Sequence, residues 1–168
     1  MGLAPPVDSL VQDSIDNIFG KGIFVEFFAR DNIGIGDTYW IKTFENNVFL
    51  NKPEEINLAF DAGFDSGSEA DGLIFIPPIR ALTNEAVDSI GDSPWAVGDL
   101  ARVEIHTLDP QIFEFLETTR DQLINGQNGI FAEPLANAKG NITNLDSDIE
   151  VLGVFCVSDI SSLDYIIQ

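Results

Sequence analysis

The chain has 168 residues, 45% of them hydrophobic, and sets eight basic against twenty-eight acidic side chains for a formal net charge of −20. Its size suits one ordinary domain with a real core, and its apolar share argues against intrinsic disorder. So negative a field repels phosphate backbones and anionic headgroups, which argues against nucleic acid and a bilayer surface as partners.

Ala4-Pro5-Pro6 is a stiff, extended lead-in. Residues 1–6 therefore read as a linker or expression start, and residues 7–168 as a single β-rich domain. From Val7 to Ile18, the residues Val7, Leu10, Val11, Ile15 and Ile18 fit helical spacing, but an irregular first strand fits equally well. Ile23 to Arg30 is rich in β-branched and aromatic residues, as a buried strand requires. Asp31 to Asp37 has the turn chemistry of a hairpin loop. Thr38 to Phe44 is then the returning strand, interior to a sheet covered on both faces. Val48 to Leu50 and Ile56 to Phe60 follow as short strands, and Asp61 to Gly72 as a loop. Leu73 to Ile76 reads as a short buried strand stopped by Pro77-Pro78. Thr83 to Trp95 has no clear period.

Beyond Gly98-Asp99 the pattern sharpens. Arg102, Glu104 and His106 alternate with Val103, Ile105 and Thr107, which predicts a strand with one wet and one dry face. Asp109 is a strong N-cap and Pro110 is tolerated at the first helical position, so a helix is predicted from Pro110 to Ile124. Ile112, Phe115, Leu116, Thr119 and Leu123 form its apolar face, and Asn125-Gly126 ends it. Gly126 to Asp148 is a long loop for which Ile130-Phe131 and Leu135 are candidate pins. Glu150 to Val157 is a further central strand, and Leu163 to Ile167 a last edge strand.

Cys156 is the single cysteine, so it has no intramolecular disulfide partner, and its apolar neighbours suggest a small core residue. One cysteine and one histidine, His106, are thin support for a thiol enzyme or a histidine metal site. No apolar run approaches the roughly twenty residues a membrane helix needs. The start also lacks a basic region followed by an apolar stretch and cleavage site, so no signal peptide is predicted.

The ordered features of the C-terminal half carry a resemblance. They are Trp95-x-x-Gly98-Asp99, the alternating strand, the Asp-Pro-capped helix and Asn125-Gly126. Phe131-x-x-Pro134, Gly140-Asn141-Ile142 and Leu152-Gly153-Val154-Phe155 follow. This set resembles the Bacteroidetes outer-membrane lipoprotein family catalogued as domain of unknown function 4249. Pro6 to Leu10, Ile23 to Arg30 and Gly36-Asp37-Thr38-Tyr39-Trp40-Ile41 resemble that family's linker and first hairpin. The likeness covers nearly the whole chain and the C-terminal portion of a typical member. Two positions depart from the family pattern: Ile130 stands where a Pro is frequent, and Trp40 where a second Tyr is usual. The resemblance implies an exported lipoprotein of the cell envelope, lipid-anchored on the outer membrane and often encoded beside a TonB-dependent transporter. It implies no catalytic residues.

Three groups of residues are candidates for chemistry. The loop from Asp61 to Gly72 offers Asp61, Asp65, Glu69 and Asp71 as oxygen ligands for calcium. Its spacing is not that of an EF-hand, and a solvated loop tip is the plainer reading. Paired carboxylates for hydrolysis cannot be singled out among so many acids. Ser66, Ser68 and Ser89 lack a nucleophile elbow, and His106 reads as a solvent-facing strand residue. Gly34-Ile35-Gly36 precedes a strand, whereas phosphate cradling needs a helix N-terminus. Phe24, Phe27, Phe28, Tyr39, Trp40 and Phe44 could form a ligand platform but more simply fill a core. Trp95, in a Pro-flanked loop, is the better exposed candidate for a ligand-binding anchor.

The fold expected is mostly β (α+β): an antiparallel β-sandwich or partly open barrel with one amphipathic helix packed on the sheet. The function expected is a non-catalytic accessory or ligand-binding module of a surface-exposed outer-membrane lipoprotein, assisting a transporter. The alternatives are a carboxylate-dependent hydrolase and a calcium-stabilised adhesion module.

Overall fold

The structure, a computed structural model, describes residues 2–17, 20–67, 69–82, 95–126, 137–146, 151 and 153–168. Val7–Asn17 (β1) and Gly20–Ala29 (β2) form an antiparallel pair from Val7↔Ala29 to Asn17↔Gly20, with a register shift between Val7 and Ser9. The ambiguous first segment is therefore a strand, because β2 offers it a ladder along its whole length.

Thr38–Glu45 (β3) is the hub of a second, five-stranded sheet. On one edge it meets Val48–Phe49 (β4) and Asn57–Phe60 (β5) in succession. On the other it pairs with Leu100–Leu108 (β6), from Thr38↔Leu108 to Glu45↔Ala101. Beside β6 lies Ile160–Ile166 (β7). The pairs are antiparallel and the sheets stay open, so the described residues form a β-sandwich with one α-helix and not a barrel.

Two expectations about connections are corrected. Asp31 to Asp37 does not close a hairpin, since β2 and β3 belong to different sheets and the loop carries the chain between them. The second edge of β2 is occupied instead by residues 74–82, through Phe27 N–H to the Arg80 carbonyl and Leu82 N–H to the Val25 carbonyl, each 2.9 Å. Leu73 to Ile76 contributes only an isolated bridge, Arg30↔Ile74; Phe75 is fully buried while Leu73 and Ile74 are exposed.

The main core fills the space between the sheets. Val25 and Phe27 of the hairpin meet Tyr39 and Ile41 of β3 and Ala101, Val103 and Ile105 of β6. Phe75 lies 5.6 Å from Phe27 and 5.4 Å from Tyr39, centroid to centroid, in tilted and edge-on contacts. The dry face predicted for β6 is thus the inward one.

The helix, Pro110–Gly126 (α1), packs on the opposite face of the large sheet. Asp109 starts it as expected: its Oδ1 accepts the Gln111 N–H at 2.9 Å. The buried face is shifted from the predicted one. Ile112 and Phe113 are buried, Leu116 and Phe115 are partly covered, and Leu123 is 47% exposed. Phe113 turns toward Leu58 and Leu108, and its ring stands edge-on to Phe60 at 6.1 Å.

The predicted central strand at Glu150 to Val157 is also corrected, on its described residues. Residues 153–159 carry no strand, because the position beside β6 belongs to β7. Phe155 and Val157 are exposed, as is Cys156, which is no core residue. Asn141 holds this segment, donating to the Phe155 carbonyl and accepting its N–H, both at 2.8 Å. A Cβ at Gly140 would overlap the Gly153 carbonyl, so that approach requires glycine. The candidate pins Ile130, Phe131 and Leu135 lie outside the described residues.

Phe113→Ala should cost about 3–5 kcal/mol, and Leu123→Ala less than about 1 kcal/mol. Urea unfolding of both variants checks which face the helix buries.

Candidate functional site

Strand alternation sends Tyr39, Ile41 and Thr43 inward and Trp40, Lys42 and Phe44 outward. The register aligns Trp40 with His106, Lys42 with Glu104 and Phe44 with Arg102; β7 adds Ile160, Ser162 and Asp164 to these rows. The helix covers the Leu108 end of this outer face. At the other end Arg102 reaches Asp164, 2.5 Å from Nε to Oδ1 and 3.0 Å from Nη2 to Oδ2. Between the apolar end and the charged end the helix stops covering the sheet, and there a cleft opens.

The cleft has a volume of about 280 Å³. Trp40, Lys42, His106 and Leu108 line it from the sheet, Ile112 and Leu116 from the helix, and Val154, Cys156 and Ser158 from the segment before β7; Ile160 completes it. The helix and the segment before β7 are placed by capping and side-chain hydrogen bonds. Asp109 fixes the helix start, Asn141 holds Phe155, and Thr107 Oγ1 accepts the Asp159 N–H at 3.1 Å.

Its electrostatics are specific. The Lys42 ammonium sits 4.1 Å from the centroid of the Trp40 ring and 5.4 Å from that of Phe49, a cation–π arrangement. Burial pushes the Lys42 pKa down, while Glu104 and then Cys156 pull it up. Glu104 Oε2 is 2.9 Å from His106 Nε2. Burial lowers the His106 pKa against the opposing pull of this hydrogen bond, so His106 is neutral near neutral pH. The Trp40 indole N–H is buried and lacks a hydrogen-bond partner among the described residues. A buried donor without an acceptor costs about 1–3 kcal/mol.

The residues singled out from the sequence fall elsewhere, and the three aspartates of the loop have local tasks. Asp61, buried, accepts the N–H groups of Gly36 and Asp37 at 2.8 and 2.9 Å. Asp65 caps its own turn at Gly67 N–H, Asp71 accepts the Gly34 N–H, and Glu69 is exposed. Among the described residues no three His, Cys, Asp or Glu side chains are grouped to hold a metal ion. Trp95 requires correction: it is 3% exposed, bridges to Ile23 and donates from its indole to the Leu82 carbonyl at 3.2 Å. It fills the core because that carbonyl gives its N–H an acceptor inside the protein. His106, expected to face solvent, is 8% exposed because the cleft walls shelter the wet face of β6.

Sequence reasoning singles out His106 and Trp40 for other roles and passes over Lys42, Ser158 and Ile160. One signal was available. Trp40-Lys42-Phe44 puts a lysine in the middle of a strand read as covered on both faces, a local misfit of the kind found at functional sites.

In class, then, this is an open two-sheet β domain with a helix-walled cleft on its outer face. The chain belongs to the family described as Domain of unknown function (DUF4249), whose model matches residues 12–164. No curated protein and no solved structure matches it.

The loop carboxylates yield a pH test. Asp31 is 2% exposed and accepts the Tyr39 hydroxyl at 2.6 Å and the Gly72 N–H at 3.1 Å. Burial raises its pKa above 3.8 despite these hydrogen bonds. The stability tied to its protonation is complete below that value and is lost as pH rises through the folded pKa. Asp31→Asn can accept from Gly72 and donate to the phenol, so it should gain on the parent between about pH 4 and pH 7. Asp31→Ala should lose about 2–3 kcal/mol. Urea midpoints at the two pH values decide it; an Asn variant that loses ground as pH rises would contradict this account.

Proposed function

We propose that the chain is a non-catalytic ligand-binding module whose site is the cleft on the outer face of the large sheet. The observation that carries this reading is the lining: apolar walls with a few convergent polar groups, at Lys42, His106 and Ser158. That composition is shared by small-molecule sites, and the volume suits a small ligand. No Asp or Glu is among the described residues that line it, and Glu104 beside it is engaged by His106. Capture is therefore favoured over carboxylate-driven hydrolysis, which needs two acids across the substrate.

The setting is part of the same proposal. The resemblance described above implies an outer-membrane lipoprotein that assists a transporter, and on this reading the chain holds a ligand at the cell surface. Among the described residues no helix is long and apolar enough to cross a membrane. Co-purification of the native protein with an outer-membrane transporter would support this setting; recovery of the native protein as an untethered soluble species would count against it.

The chain's single thiol, Cys156, is exposed on the cleft wall and reports occupancy. Compounds that raise the melting temperature should also slow its alkylation. At a hundredfold excess over Kd the stabilisation should be about 2.7 kcal/mol. Leu116→Trp, which fills the space beneath the helix, should abolish both effects with the circular dichroism spectrum unchanged. Stabilisation that survives this substitution would move the site elsewhere.

A further inference from the structure

We infer that the cleft takes a small organic anion, a carboxylate on an apolar body, with the carboxylate at Lys42 and the body against Ile112, Leu116, Val154 and Ile160. The inference rests on the reading of the cleft as a binding site and names its ligand class.

The first argument is what Lys42 lacks. Its cross-strand neighbour Glu104 pulls its pKa up, but that carboxylate lies more than 4.0 Å from the ammonium, with Oε2 2.9 Å from His106 Nε2. Among the described residues no carboxylate lies within 4.0 Å of the ammonium, which rests on the π faces of Trp40 and Phe49. A π face compensates charge but accepts no strong hydrogen bond, so the three N–H donors of the ammonium are largely unspent. Half-buried and unpaired, this cation is the group whose solvation an incoming anion would restore.

A second argument is the sign of everything else on the wall. Ser158 and Cys156 supply a hydroxyl and a thiol, 3.5 Å apart. His106 is neutral, and the remaining lining residues are aliphatic. Donors at one end and hydrocarbon at the other match an amphiphilic acid. One ammonium suits a monoanion, whereas a phosphate dianion would leave charge unmatched against the apolar walls. The chain's overall charge of −20 does not reverse this, since exposed charges beyond about 8–10 Å are screened at physiological salt.

Octanoate, octanamide and octylammonium provide the test at physiological ionic strength, read by protection of Cys156 from alkylation. Octanoate should protect, and octanamide should bind about tenfold more weakly, since its carbonyl accepts from the ammonium without bringing a counter-charge. Lys42→Met keeps the side-chain length without the charge and should bring acid and amide within about twofold. Leu116→Trp should remove protection by both. Unchanged melting curves show that the variants remain folded. Amide or ammonium binding as well as the acid, or an acid preference that survives Lys42→Met, would overturn the anion while leaving the cleft as the site. If none of the three protects Cys156, the ligand class and the cleft reading fall together.

Discussion

The pairing of β3 with β6, held from Thr38↔Leu108 to Glu45↔Ala101, is the constraint on which the rest of the molecule depends. Side chains alternate across a strand, so this one ladder must furnish two different surfaces. Tyr39, Ile41, Val103 and Ile105 are committed to the core beneath the β1–β2 hairpin. Trp40, Lys42, Glu104 and His106 are consequently sent to the other side. A slip of one residue would exchange the two sets and place Lys42 and Glu104 in the core, which fixes the register strongly. The outer face then grades from hydrocarbon at Leu58 and Leu108, beneath the helix, to the Arg102–Asp164 ion pair. The cleft is the place where that gradient passes the edge of the helix.

Much of the acidity has a structural use that net charge alone conceals. The chain between elements is long, and its backbone N–H groups need acceptors that no ladder supplies. Carboxylates provide them. Asp31 takes Gly72, Asp61 takes Gly36 and Asp37, Asp71 takes Gly34, Asp99 takes Ala96 and Glu55 takes Lys52. Asp99, near the surface, has its pKa lowered by hydrogen bonds from Asn46 and Ala96, whereas burial raises that of Asp31. The same chemistry thus stabilises the ionised form in one loop and opposes it in another, and desolvation decides between them.

How far the sequence was legible follows the range of the forces involved. The helix start was readable because Asp109 and Pro110 act within one turn of the chain. The dry face of β6 was readable because alternation is local. Which strand lies beside which is decided by distant partners, so Asp31 to Asp37 looks like a hairpin and Glu150 to Val157 like a central strand. Both segments have suitable local chemistry, but β1 and residues 74–82 already occupy the edges of β2, and β7 occupies the edge of β6. Trp95 failed for a related reason: its Pro-flanked position suggested exposure, and only the Leu82 carbonyl, distant in sequence, makes burial of its indole N–H affordable. The cleft was the least legible feature, since the sheet, the helix and the Val154–Ser158 segment meet only in the folded chain.

Stability alone leaves one part of the outer face unexplained. An apolar side chain at position 42 would cover Trp40 and Phe49 as well as the lysine stem does, with no ammonium to desolvate. Replacing buried charge by hydrocarbon of similar volume is often neutral or stabilising. Phe44 and Trp40, two residues away on either side, are explained by the rings they meet: Phe49 lies 5.2 Å from Phe44 and 5.9 Å from Trp40. Arg102 is explained by Asp164, and Glu104 by His106. Lys42 has packing for its stem, and among the described residues Glu104 acts on its charge without a contact within 4.0 Å. A cation held in that position adds little to the fold, and its natural complement is a group that arrives from outside.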